Sequence, residues 1–167
     1  MLKKLSLLIC ISVFTICIDQ ISKAYIQTQF GLNDTTSVID GFLNMTYARN
    51  FGAAFGFMEQ SHATLRDWFM FGVPPVVCAI VLALIYHIKS DGAAEFKNNV
   101  VQLVSLSLIF GGALGNYIDR LHYGYVIDFI DFHWKTQYAF PTFNLADGAI
   151  VIGIIFLISS IAREKIA

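Results

Sequence analysis

Four long apolar runs, separated by segments rich in turn-forming and polar residues, set the pattern of the chain. The first covers residues 5–26 and is broken only by Asp19, Gln20 and Lys23; the others cover 68–88, 100–121 and 145–162. A bilayer core roughly 30 Å thick needs about 20 apolar residues of helix, so each run predicts a transmembrane span. The second contains Pro74-Pro75, which remove two backbone donors and predict a kink, or a first turn, at that point. Starting the helix at Pro74 leaves 15 residues to position 88, short of a span, which places its start near Trp68.

About 40 residues between the first two runs are too polar to cross a membrane. Gly31, Asn33-Asp34 and Asp40-Gly41 are turn signals, and residues 37–39 and 42–47 suit short strands. They predict a small β-cradle resting on the membrane surface, followed by a short amphipathic helix around residues 54–60. The stretch from Asp128 to Asp131, judged alone, reads as a loop with its acids in water and its aromatic residues in the interface. The expected architecture is an all-α polytopic membrane protein of one domain, residues 1–167. It has four transmembrane helices, extracytoplasmic segments at about 27–67 and 122–144, and the cradle between helices one and two.

Composition supports this reading. The chain is 56% hydrophobic and 14% charged, against roughly 25% charged in ordinary soluble domains. Such hydrophobicity excludes disorder, and 11 basic against 12 acidic residues excludes a nucleic-acid binder built on a basic surface. Cys10, Cys17 and Cys78 lie within apolar runs and offer neither a disulfide framework nor a metal spacing. The start, Met-Leu-Lys-Lys before an apolar run, resembles a signal peptide, but no small-x-small cleavage site follows, so a retained helix is expected.

With four spans both termini lie on one side, which then carries six basic residues against five on the other. That count barely orients the chain, and the Lys3-Lys4 pair tips it towards cytoplasmic termini. The acids are lopsided: Asp91, Glu95 and Glu164 fall on the terminal side and the other nine opposite. Acids do not set topology, so this asymmetry points to function.

Charged residues in a bilayer are costly and usually face a protein interior. Here they gather at one end of three spans. Asp19 and Lys23 are spaced i, i+4; Asn116, Asp119 and Arg120 fall at i, i+3, i+4; Asn144 and Asp147 lie three apart where the fourth helix begins. Each has a plain structural reading as well. Asp19 and Lys23 suit a buried ion pair, Arg120 a snorkelling cation at a helix C-terminus, and Asn144 with Asp147 a reciprocal N-cap. Gly111-Gly112 and Gly115 make a small-residue face for close helix packing. The histidines form no paired ligand spacing, which disfavours metal catalysis. Adjacent helical positions point about 100° apart, a poor geometry for a Ser22–Lys23 dyad. A cation channel would need charges along a path through the membrane rather than at one edge. A purely structural partner would tolerate loss of the acids.

Five ordered blocks carry a more specific likeness: DQISK at 19–23, RNFGAAFG at 49–56, GGALGNYIDR at 111–120, VIDFID at 126–131 and FNLAD at 143–147. Together they resemble the bacterial lipoprotein signal peptidases (signal peptidase II), over nearly the whole chain. The resemblance implies an aspartic endopeptidase of the cytoplasmic (inner) membrane, with Asp128 and Asp147 as the catalytic pair near the outer face. It implies no cofactor. The implied substrates are diacylglyceryl-modified prolipoproteins, cut just before the lipidated cysteine, and globomycin is the inhibitor expected to block the pair. Asp19, Lys23, Asn50, Gly52, Asn116, Asp119, Arg120, Asn144 and Ala146 match the family's supporting positions, whereas Phe51 and Gly148 depart from its pattern. A monomer surrounded by membrane lipid is expected. The choice of Asp128 over Asp131 rests on the resemblance alone.

Two carboxylates held close share a proton, because both cannot readily ionise. The ionised member would take a proton from water while the protonated one hydrogen-bonds the scissile carbonyl. At the third position of the fourth helix, Asp147 is expected to be the base, favoured by the helix dipole, and Asp128 the acid. Asn116 and Asn144 would orient substrate or aspartates, Arg120 would bind carbonyl or lipid oxygens with Asp119 as its partner, and Asn50 with Gly52-Ala53-Ala54 would form a loop small enough to admit an extended peptide.

Overall fold

The computed structural model describes residues 2–52, 62–88, 93–134 and 138–164. In chain order the elements are α1 (Leu2–Gln29), β1 (Thr35–Ile39), β2 (Leu43–Asn50), α2 (Ala63–Asp67), a π-helical turn (Trp68–Gly72), α3 (Val73–His87), α4 (Ala93–Tyr123), β3 (Val126–Trp134), β4 (Tyr138–Ala139) and α5 (Leu145–Glu164). Four helical stretches among the described residues are long and apolar enough to cross a membrane: Leu2–Gln29, Thr64–His87, Asn99–Tyr123 and Leu145–Arg163. All four predicted spans are present. The helices run beyond the predicted ends because hydropathy marks where apolar residues stop, whereas a helix continues until its backbone finds another partner.

The second span shows what the two prolines do. The helix starts at Ala63 rather than Trp68 and widens into the π turn just before them. There the Val73 N–H donates to the Trp68 carbonyl, five residues back. Pro74 and Pro75 have no N–H to return to carbonyls four residues earlier, and the wider turn accommodates that loss. The amphipathic helix expected around residues 54–60 lies outside the described residues.

α4 is the most buried span and packs against α1, α3 and α5. Its glycines serve two partners. A Cβ on Gly111 would lie 3.0 Å from Ser12 Cα of α1, and one on Gly115 would lie 2.8 Å from Asp19 Oδ2. Gly112 instead faces the Ala146 carbonyl of α5, and a Cβ on Gly153 of α5 would lie 2.7 Å from the Ser105 carbonyl. Lipid tails are as apolar as the helices, so close backbone approach of this kind, rather than the hydrophobic effect, drives their association. The Ser12 hydroxyl adds a bond of 3.0 Å to the Ser107 carbonyl. Away from the sheet, Leu8, Val81, Ile85, Leu103, Leu106 and Ile109 form an apolar core. There the Lys4 ammonium donates to the carbonyls of Ile85, Tyr86 and Ile88, which end α3.

At the other end stands an antiparallel sheet in the order β1-β2-β3, extended by the two-residue β4. Its first hairpin is the cradle expected between the first two spans. Its third strand comes from the segment between the third and fourth, where a loop was expected: Asp128 pairs with Ala48 and Asp131 with Asn44. Strand formation follows from Val126, Ile127 and Phe129, all buried, two of which pack with Ile26 of α1 and Tyr47 of β2. The strand's partner lies about 80 residues earlier, so no local signal marks it. An Ile130–Phe143 bridge then ties β3 to the residue before Asn144, placing the start of α5 beside the strand.

Candidate active site

At the junction of α1, α4, α5 and the sheet, the candidate residues of all five sequence blocks come together. Asp19, Lys23, Asp119, Asp128 and Asn144 are at most 1% exposed, and Asn116, Arg120 and Asp147 at most 8%. Buried charge on this scale persists only when it is paired and hydrogen-bonded.

One half of the cluster is an ion network. Lys23 Nζ lies 2.7 Å from Asp19 Oδ2 and 2.8 Å from Asp119 Oδ2, and donates at 3.0 Å to Asn116 Oδ1. Its three N–H donors thus match three acceptors. The i, i+4 pair read on the first helix exists, and a second carboxylate from α4 completes it. Asp19 also accepts from the Ala146 N–H at 3.0 Å, fixing α1 to α5, and Asp119 from the Ile127 N–H at 3.2 Å, fixing α4 to β3. Asp119 is therefore the direct partner of Lys23 and not, as expected, of Arg120. Ser22, bonded to the Asp19 carbonyl at 2.7 Å, forms no dyad with Lys23.

The other half holds Asp128 and Asp147. Asn144 caps α5 and Asp147 is its third residue: the Asp147 N–H donates to Asn144 Oδ1 at 3.0 Å, and the Asn144 N–H to Asp147 Oδ2 at 3.3 Å. The capping motif is thus real, and the same asparagine reaches further. Its Nδ2 donates to Asp128 Oδ1 at 2.7 Å, to Asn116 Oδ1 at 3.0 Å and to the Ile127 carbonyl at 3.2 Å. Asn116 Nδ2 donates to Asp147 Oδ1 at 2.8 Å, and Asn50 Nδ2 to Asp128 Oδ2 at 2.9 Å. Asn50 is held in turn by the Gly52 N–H at 2.9 Å.

Neither Asp128 nor Asp147 joins a salt bridge among the described residues. Burial, and after it the charge of Asp147, push the Asp128 carboxyl up to about 7. Amide donors from Asn50 and Asn144 and the positive charge of Lys23 pull the other way. The positive charge of Arg120 lies among Asp147, Asp128 and Asp119. Its Nη1 donates to the Asn116 carbonyl at 3.3 Å, and its buried Nε has no hydrogen-bond partner among the described residues.

Asp131 lies outside this cluster. Three residues beyond Asp128, it projects from the opposite face of β3, as strand alternation requires, and accepts from Asn44 Nδ2 at 3.1 Å. One participant was not singled out from the sequence. Gln20 donates to Asp119 Oδ1 at 2.8 Å and, at 3.2 Å each, to Asp19 Oδ2 and the Gly115 carbonyl. The available signal was an amide inside an apolar span beside Asp19.

The chain as a whole is similar to known proteins. The family described as signal peptidase (SPase) II matches residues 11–163. A lipoprotein signal peptidase of Syntrophus aciditrophicus is 36% identical over 165 residues, covering 99% of this chain and 98% of that protein. One from Citrobacter koseri is 44% identical over 141 residues, covering 84% and 81%. A bacterial membrane enzyme solved by the in meso method at 2.3 Å resolution superposes with a TM-score of 0.78 at 34% identity, over 95% of this chain and 88% of that one. A second, solved at 1.9 Å resolution, gives 0.73 at 35% identity, over 92% and 91%. Matching its relatives almost end to end in sequence and in fold, this multi-pass membrane chain belongs to the signal peptidase II (lipoprotein signal peptidase) family of proteases.

Proposed function

We propose that the protein is an aspartic endopeptidase that removes the signal peptide from diacylglyceryl-modified prolipoproteins, cutting just before the lipidated cysteine. The observation that carries this reading is a pair of buried carboxylates, Asp128 and Asp147, joined through one asparagine and without a direct cationic partner among the described residues. A pair so placed holds one proton between its members.

In the proposed reaction Asp147 is ionised, supported by the Asn116 amide and the Asn144 N–H, and Asp128 is protonated. Asp147 takes a proton from water, whose oxygen attacks the scissile carbonyl carbon, while the Asp128 hydroxyl donates to the carbonyl oxygen. A tetrahedral intermediate forms without an acyl-enzyme. It collapses as the C–N bond breaks, and the leaving amine takes a proton from the pair. Arg120, whose buried Nε has no hydrogen-bond partner among the described residues, is a donor for substrate carbonyl or lipid oxygens.

The protein acts as a monomer in the bacterial cytoplasmic membrane, with both termini cytoplasmic and the carboxylates near the outer face. The acyl chains of the substrate lie in lipid between helices. Each CH₂ of those chains adds about 0.8 kcal/mol to anchoring the modified cysteine in the membrane, which holds the scissile bond at the depth of the carboxylates.

The test is cleavage of a lipidated prolipoprotein in detergent by the wild type, Asp128→Asn, Asp131→Asn and Asp147→Asn. The first and last substitutions are expected to lower the rate by at least ~10²-fold, with Asp131→Asn close to wild type. An unmodified cysteine is expected to slow cleavage, and globomycin to block it. Activity retained in either Asp128→Asn or Asp147→Asn overturns the reading.

A further inference from the structure

Away from the carboxylates, at the end of the bundle that carries the chain termini, α4 and α5 separate. They are held close at Gly112 against Ala146 and at Gly153 against Ser105. Past Gly153 the facing residues are larger, and a groove of about 800 Å³ opens between the helices. Its lining changes character along the helices. Towards the middle of the bundle it is made by Val104, Ile155 and Phe156; towards the termini by Ser159, Ser160 and Arg163. From Ile155 to Arg163 is about 12 Å at 1.5 Å per residue, close to the roughly 15 Å hydrocarbon depth of one leaflet.

An apolar floor, hydroxyls above it and a cation at the rim match an amphiphile with a negative head. Among the described lining residues Arg163 is the one charged side chain. Basic pockets between transmembrane helices are recognised sites for anionic headgroups. We infer that this groove binds one anionic phospholipid of the leaflet on the terminal side, its phosphate at Arg163 and one acyl chain along Val104, Ile155 and Phe156. The site lies at the opposite end of α4 and α5 from Asp128 and Asp147. It is independent of the peptidase reading.

Native mass spectrometry of the delipidated full chain, titrated with dioleoylphosphatidylglycerol or dioleoylphosphatidylcholine, tests it. The wild type is expected to retain one phosphatidylglycerol about fivefold more strongly than phosphatidylcholine, one surface cation's worth of selectivity. Arg163→Gln is expected to hold the two lipids equally, and Ser159→Trp, which obstructs the groove, to hold both less well than wild type, with thermal midpoints near wild type. The proposal is overturned by equal retention of both lipids in the wild type, or by an unchanged preference in Arg163→Gln. A dimer that disappears in Ser159→Trp would assign the groove to a second copy and overturn it as well. Should Ser159→Trp fail to fold, the Arg163→Gln comparison decides alone.

Discussion

Four buried aspartates meet at the sheet end of the bundle, and they fall into two pairs with different surroundings. Asp19 and Asp119 both touch the Lys23 ammonium and accept backbone N–H groups that tie α1 to α5 and α4 to β3. Asp128 and Asp147 receive neutral amide donors from Asn50, Asn116 and Asn144 instead. Burial is nearly the same in both pairs. What differs is the compensating charge, and under the proposed function it separates acids that hold the fold from acids that exchange a proton. Asn116 links the two pairs, accepting from Lys23 through its oxygen while donating to Asp147.

The sharpest test of that division removes the shared cation. Lys23→Met leaves Asp19 and Asp119 buried without a counter-charge, and breaking a buried pair in this way costs about 3–5 kcal/mol. A marked fall in the thermal midpoint in detergent is expected, partly reversed in the Lys23→Met/Asp19→Asn double variant. Asp128→Asn should do the reverse: cleavage is lost while the thermal midpoint holds or rises, because an uncompensated acid has gone. Equal destabilisation by Asp19→Asn and Asp128→Asn would erase the distinction between the pairs.

Asn144→Ala probes the hinge of the second pair. It removes the cap of α5, worth about 1 kcal/mol, and also the amide donor to Asp128, so cleavage should fall much further than stability does. Parallel losses in kcat and in the thermal midpoint would reduce Asn144 to a cap.

A smaller effect is expected in the pH profile. The Asp128 carboxyl stands near 7 instead of its ordinary 3.8. As the proposed acid it must be protonated, so kcat/KM should decline as pH rises through about 7. The folded state binds more protons than the unfolded one between these values, so this group's contribution to stability also falls as pH rises from about 4 to 7. The Asn50 amide stabilises the ionised form, so Asn50→Ala should move the alkaline limb to higher pH. A bond worth about 1 kcal/mol corresponds to a shift of roughly 0.7 units. A limb that stays put or moves down would remove Asp128 as the titrating acid. Least affected should be Asp131→Asn, with kcat/KM within about twofold of wild type and stability within ~0.5 kcal/mol, measured in the same cleavage and melting assays.

Much of this was legible in the chain. Hydropathy located all four spans, since a bilayer imposes one length on every crossing. The i, i+4 spacing paired Asp19 with Lys23, and the Asn-x-x-Asp pattern placed Asn144 and Asp147 in a cap. These are local properties, settled within one or two turns of helix. The loop expected at Asp128 was wrong for the complementary reason. β3 forms only by pairing with β2, and its alternation then sends Asp128 inward and Asp131 to the other face. Which aspartate Lys23 would share with Asp19, what Gln20 would hold, and how Asn144 could serve Asp128 and Asp147 at once depended on packing at Gly111, Gly112 and Gly115. Periodicity along a chain carries residue chemistry and spacing. Contacts between elements some 100 residues apart arise only when backbones approach closely enough for short side chains to meet.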